Sequence, residues 1–237
     1  RGKPTIFLSA RVHPGETISS FVLRGMIDFL LSNHAEAQQL RTMFVWKIVP
    51  MLNPDGVIHG NYRCNLAGHD LNRRWQNPDP SVHPEIYYYK RYILKCKGEN
   101  NNSDYIQQQC NRNIFNSYLS AGGNSSCVSS TDPPNSNIAM FIDLHGHSSK
   151  KNIFIYGCSD ESAKEFPLLA SKIVRGFSFK DCAFEIESKK EGTARVALWR
   201  DLQIPNIFTV ESSFCSFEEE NFHFKIKDYE EVGKGLC

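Results

Sequence analysis

The sequence lacks several features that would have settled its class at once. No apolar run is long enough to cross a bilayer as a helix, and no secretory signal is visible. Neither basic nor acidic residues dominate. The 27 lysines and arginines against 26 aspartates and glutamates leave a formal net charge of +1, so there is no broad electrostatic footprint for nucleic acid or an anionic membrane. None of the eight cysteines stands in a Cys-x-x-Cys pair, which removes zinc ribbons and thioredoxin-type sites. A chain this long does not need disulfides to hold a core, so the cysteines read as reduced thiols of a cytoplasmic protein.

What is present is the material for one α/β domain: 237 residues, 41% of them hydrophobic. Apolar, β-branched runs at 5–8, 42–50, 138–144, 152–156, 182–187 and 206–210 read as strands. Stretches 17–31 and 83–95 have helical spacing, 162–177 reads as an amphipathic helix broken by Pro167, and 188–200 passes from a basic loop into a helix. Asn53-Pro-Asp-Gly56 reads as a plain turn. The tyrosines of 83–95 read as core and interface residues. From about 98 to 137 the composition turns to Asn, Ser, Gln and Gly. This is expected to be an insertion, largely loop or disordered, with one weak helix over 106–119 and no partner pattern to make Cys110 or Cys127 a metal ligand. The abrupt start before a strand and the helix opening at 228–237 suggest a domain cut from a longer polypeptide.

Chemistry gathers where strands end. His13-Pro-Gly-Glu16 follows the first strand and leads into the first helix. In open α/β sheets that rim is where ligands bind. An imidazole and a carboxylate are two of the three protein ligands of a catalytic zinc, although the four residues alone fit a wet turn better. The strand at 138–144 runs into His145-Gly-His147; His145, ending the strand directly, is the candidate third ligand, and His147 reads as a loop or supporting residue. Asp143 reads as a polar residue within that strand. The last strand ends in Glu211, where a carboxylate is costly unless paired or working; it suits a general base that takes a proton from water and passes it to a leaving amine. Between these, the irregular segment 60–75 carries Arg63, Arg73 and Arg74, forks suited to a substrate carboxylate if they are not simply solvated. Lys189, Lys190, Arg195 and Arg200 make 188–200 the most basic short stretch, either a solvated face or a pocket for an acidic side chain.

Taken together, His13-Pro-Gly-Glu16, Asn53-Pro-Asp-Gly56, Gly60-Asn-Tyr-Arg63, Asp70-Leu-Asn-Arg73, Asp143-Leu-His-Gly-His147, Glu191-Gly-Thr-Ala-Arg-Val196 and Thr209-Val-Glu-Ser212 resemble the M14 zinc metallocarboxypeptidases. Within them they resemble the cytosolic carboxypeptidases that trim glutamates from tubulin. The resemblance covers all but the insertion. It implies an α/β fold, a mixed and mostly eight-stranded central sheet flanked by helices, and one zinc ion per chain. It assigns His13, Glu16 and His145 to the zinc, Glu211 to the catalytic carboxylate and Arg63 to the carbonyl and oxyanion. Asn72 and Arg73 match the pair that holds the terminal carboxylate, Asp70 a carboxylate orienting a ligand histidine, and Arg195 lies where an acidic side chain is expected. The implied substrate is a protein or peptide with an acidic C-terminus, including tubulin tails, with no nucleic-acid or membrane partner. Two departures stand out. Residues 181–210 contain no tyrosine to close over the substrate, Tyr156 being a poor stand-in, and no β-sandwich domain like the subfamily's is read ahead of the catalytic segment. A zinc deacylase of small N-acyl amino acids and a non-catalytic binder of acidic tails are the alternatives.

Overall fold

The computed structural model describes residues 2–98, 137–217 and 223–237. The expected insertion, its weak helix and Cys110 and Cys127 lie outside them. The described elements run β1 (Thr5–Ala10), α1 (Ile18–Leu31), α2 (Ala35–Met43), β2 (Val45–Val49), α3 (Pro54–Ile58), α4 (Pro84–Lys97), β3 (Ile138–His147), β4 (Ile153–Tyr156), α5 (Glu165–Ile173), α6 (Ala194–Leu202), β5 (Ile207–Ser213) and α7 (Ile226–Gly235). Among the described residues the sheet has five strands in the order β2-β1-β3-β5-β4, fewer than the eight implied above. The first four are parallel and β4 is antiparallel to β5, so the sheet is mixed.

Period-two alternation sorts the side chains to two cores. Ile6, Leu8 and Ala10 of β1, Ile142 and Leu144 of β3, and Phe208 and Val210 of β5 pack with α1, α5 and α7. Phe7, Phe141 and Ile207 face the other way, toward Trp75, α4 and α6. On this second face the strands begin apolar and end polar. Continuing by twos leads from Phe7 to Ser9, from Phe141 to Asp143 and His145, and from Ile207 to Thr209 and Glu211. The register sets Ser9 beside Asp143, Asp143 beside Thr209 and His145 beside Glu211. One face of three neighbouring strands therefore turns chemical at a single end.

Several local expectations change. The stretch 182–187 makes only an isolated bridge, Tyr156 to Ala183, and runs past the edge of β4 without joining the sheet. Phe184 there packs against Gly157, and Glu185 and Glu187 turn toward the cleft described below. Pro167 does not break a helix: it lies in the first turn of α5, where its missing N–H has no partner to lose. Asn53 caps a one-turn helix, α3, by accepting from the Gly56 amide, so this is more than a plain turn. Helix α2, made mostly of good helix formers, occupies residues up to Met43 and shortens the second strand. Strands β3 and β5 continue past His145 and Glu211, which sit inside strands and not at their last residues.

Candidate metal centre and cleft

The turn carrying His13 and Glu16 is held from several sides. Arg11, at φ 59°, takes a left-handed conformation that costs a non-glycine residue about 1 kcal/mol or more. Its guanidinium spans the turn, donating to the Pro14 carbonyl from Nε and Nη2 (3.0 and 2.7 Å) and to Ser20 Oγ (3.0 Å). The Asn53 side chain donates to the Val12 carbonyl at 3.2 Å. Gly15 donates its N–H to the Tyr62 carbonyl at 2.8 Å, and a Cβ there would strike the Tyr62 ring. Only glycine lets the two chains approach this closely.

The result brings His13, Glu16 and His145 together, buried, with one ligand atom from each within 4.8 Å of the others. Glu16 lies between the two rings: Oε1 is 2.7 Å from His13 Nδ1, and Oε2 is 3.0 Å from His145 Nδ1 and accepts the Gly146 amide at 2.9 Å. The outer nitrogens are also committed. His13 Nε2 is 3.0 Å from Asp70 Oδ1, and His145 Nε2 is 2.7 Å from Asp143 Oδ2. Carboxylates only accept, so an Nε2–H donated outward leaves each Nδ1 lone pair turned inward. Nitrogen lone pairs and a carboxylate converging on one point repel unless a cation or protons lie between them. Two imidazoles and one carboxylate form the donor set of an open zinc site, and this chemistry fits the ion.

Electrostatics agree with the geometry. Burial alone would raise the Glu16 and Asp70 pKa values; the neighbouring histidines, with Arg63 and Arg73 for Asp70, hold both well below the usual carboxylate range. Burial opposes charge on His145, yet Asp143 and Glu16 raise its pKa well above the ordinary value.

Asp143 is the residue that sequence reading undervalued. It is 0% exposed, and Ser9 Oγ donates to its Oδ1 at 2.7 Å while Oδ2 meets His145. The available signal was its spacing of two from His145, which in a strand means the same face.

Around this centre opens a cleft of about 360 Å³ lined by Arg63, Arg73, Tyr156, Lys190, Arg195 and Glu211 among others. Arg63 forks onto Asp70 Oδ2 with Nε and Nη2, both at 2.8 Å, leaving Nη1 at 4.0 Å from Glu16. Asn72 accepts the Ala194 amide at 2.9 Å on its side-chain oxygen, and its Nδ2 is 3.4 Å from His145 Nε2. Arg73 donates to the Asn72 carbonyl at 2.8 Å. Arg195 is 5% exposed, its Nη1 donating to the Gly157 carbonyl and Cys158 Sγ, with no carboxylate in ion-pairing distance among the described residues. Burial pushes the Glu211 carboxyl up, Glu16 adds to this and His145 pulls back; among the described residues it makes no hydrogen bond or ion pair. His147 also lines the cleft but lies outside the three-ligand group, its Nδ1 accepting the Lys150 amide at 2.9 Å. Arg200 points elsewhere, paired with Glu191.

A sheet of this topology with two histidines and a glutamate at its polar end defines a class, and the chain belongs to the zinc carboxypeptidase family, whose model matches residues 1–199. Within it the chain is similar to cytosolic carboxypeptidase 1 of Danio rerio, 38% identical with all of this chain and 19% of the relative covered. Cytosolic carboxypeptidase 1 of Homo sapiens is 37% identical, with 100% and 18% covered, and cytosolic carboxypeptidase 2 of Mus musculus 39% identical, with 99% and 24% covered. The chain thus spans about a fifth of the length of these curated relatives. The metallo-carboxypeptidase structure from Burkholderia cenocepacia shares the fold, with a TM-score of 0.72 at 20% identity over 99% of this chain and 55% of that one.

Proposed function

We propose that this chain is the catalytic part of a zinc metallocarboxypeptidase that removes acidic residues, above all glutamate, from the C-termini of cytoplasmic proteins, tubulin tails included. The observation that carries the reading is one cleft holding the His13–Glu16–His145 donor set, a Glu211 that is unpaired among the described residues, and arginines of which Arg195 meets no carboxylate among them. No described helix is long and apolar enough to cross a membrane.

In this reading His13, Glu16 and His145 hold the zinc, which supplies Lewis acidity. Glu211 takes the proton of the attacking water and delivers it to the departing amine. Its carboxyl, pushed up by burial, is poised for that exchange. Arg63, oriented by Asp70, aims a charged donor at the carbonyl oxygen as negative charge develops on it. Asn72 and Arg73 hold the terminal carboxylate, which restricts cleavage to the last peptide bond. Arg195 has five N–H donors, only part of which serve Gly157 and Cys158; the rest meet the side-chain carboxylate.

The test is release of glutamate by the zinc-loaded whole protein from a peptide ending in several glutamates, beside the same peptide amidated at its C-terminus. Release from the free acid alone is expected. Binding without release would leave an acidic-tail binder, and cleavage of small N-acyl amino acids instead would mark a deacylase. Arg195→Met is expected to lower the preference for a C-terminal glutamate over alanine by about 10–100-fold, the worth of a hydrogen bond between charged groups. An unchanged preference would remove Arg195 from that role.

A further inference from the structure

Among the described residues, two cations of the cleft wall, Lys189 and Lys190, are left without work by the reading above, and Lys190 is the unpaired one. It is half-buried, and among the described residues its ammonium has no carboxylate within ion-pairing distance. Its neighbour Lys189 differs: it is exposed and pairs with Glu187 at 2.7 Å.

The backbone of Lys190 is fixed. Its N–H donates to the Glu187 carbonyl at 2.8 Å, and its carbonyl accepts the Thr193 amide at 3.0 Å and Thr193 Oγ1 at 2.7 Å. That turn is joined to the segment bearing Asn72 and Arg73. The Trp75 amide donates to the Gly192 carbonyl at 3.0 Å, the Ala194 amide donates to Asn72 Oδ1 at 2.9 Å, and Gln76 reaches Glu191 at 3.5 Å. Gly192 lies so close to Arg73 that a Cβ would collide with the Arg73 carbonyl. Lys190 and Arg73 are thus carried on one frame and line the same cleft. Burial and the Arg73 charge depress the Lys190 ammonium while Glu211 and Glu187 oppose them, so Arg73 and Glu211 both act on it. Two like charges held together at a cleft wall are costly in isolation, and an anion between them removes the cost.

We propose that Lys190 is a positioning residue for the substrate's C-terminal carboxylate, which it holds jointly with Arg73. The inference rests on the carboxypeptidase reading. Lys190 moves no proton in the reaction; it fixes the end of the chain that Glu211 and the zinc centre act upon.

Binding is measured on the zinc-loaded whole protein silenced by Glu211→Gln, using labelled peptides ending in Ala-Glu, Glu-Glu and Ala-Glu-amide. Adding Lys190→Met is expected to weaken both free-acid peptides about equally, by about 10–100-fold, and to leave the weakly bound amide unchanged. Lys190→Arg should recover most of the loss, as a merely structural role would not allow, with zinc content and thermal unfolding matching the parent. Three outcomes overturn the proposal: Lys190→Met binding within about twofold of the parent, a loss confined to Glu-Glu (which would place Lys190 on the penultimate side chain), or equal loss in Lys190→Met and Lys190→Arg. Failure of the silenced parent to bind any free-acid peptide overturns the carboxypeptidase reading itself, and this inference with it.

Discussion

The two sides of the cleft are built on opposite rules. On the metal side every charged group is tied: both nitrogens of His13 and of His145 face carboxylate oxygens, and Asp70 and Asp143 are held in turn by Arg63 and Ser9. On the substrate side Lys190, Arg195 and Glu211 have no opposite charge within ion-pairing distance among the described residues. A small ion that stays in place rewards a fully satisfied network, because a half-satisfied buried one is expensive. A ligand that enters and leaves needs charges that the protein has not already neutralised. On the proposed function, polar satisfaction would thus separate permanent from transient occupants within a single pocket.

Breaking the open side should cost most, because the proposed function puts the proton transfer there. Glu211→Gln keeps the size and removes the carboxylate proposed as the base. It is expected to lower kcat by about 10²–10⁴-fold while zinc stays stoichiometric, since Glu211 is not one of the three donors. Substantial activity in this variant, with metal content measured on the same sample, would end the assignment of Glu211 as base.

Breaking the tied side should act through the metal. Asp143→Asn removes the charge that orients His145 and is expected to weaken zinc binding by about 10–100-fold, as seen when such supporting partners of ligand histidines are lost. Glu187→Gln, an exposed carboxylate on the open side, should leave zinc affinity where it was. Equal effects in a competition titration against a chelator would erase the distinction between the two sides.

How much of this was legible beforehand depended on the length scale of the signal. The strand–turn–helix at 5–31 was readable because apolar runs and a Pro-Gly turn are local, and the grouping of His13, Glu16 and His145 followed from motifs near strand ends. The anchoring of Asp143 was hidden because it depends on the β1–β3 register that brings Ser9 opposite it, a contact 134 residues apart in sequence. The stretch 182–187 looked like a strand because β-propensity reports fit to a pleated, half-buried surface, and only the tertiary arrangement shows that no strand edge receives it beyond one bridge. The same limit applies to Lys190. Sequence marks a basic stretch, but its frame with Arg73 is made by tertiary contacts, those of Gly192, Ala194 and Trp75 among them.

The smallest expected effect, and the sharpest test of the tied side, comes from removing the metal and changing the pH. Against the effect of burial, Asp143 and Glu16 raise the His145 pKa. A raised folded pKa contributes stability that is full below the unfolded value of about 6.5 and is lost as pH rises through the folded one. The metal-free protein should therefore lose this contribution toward alkaline pH. The zinc-loaded protein has a cation in place of the proton, and metal binding there must release protons. The gap in Tm between zinc-loaded and chelator-treated protein should accordingly widen from pH 6 to pH 9. Asp70 works at the other end: His13, Arg63 and Arg73 outweigh its burial and depress its pKa, so its contribution is present above about pH 4 and lost below it, with or without metal. A Tm gap that stays constant across the alkaline range would mean that His145 carries no proton for zinc to displace, and the fully tied network would then have to be held by something other than the charge balance argued for it.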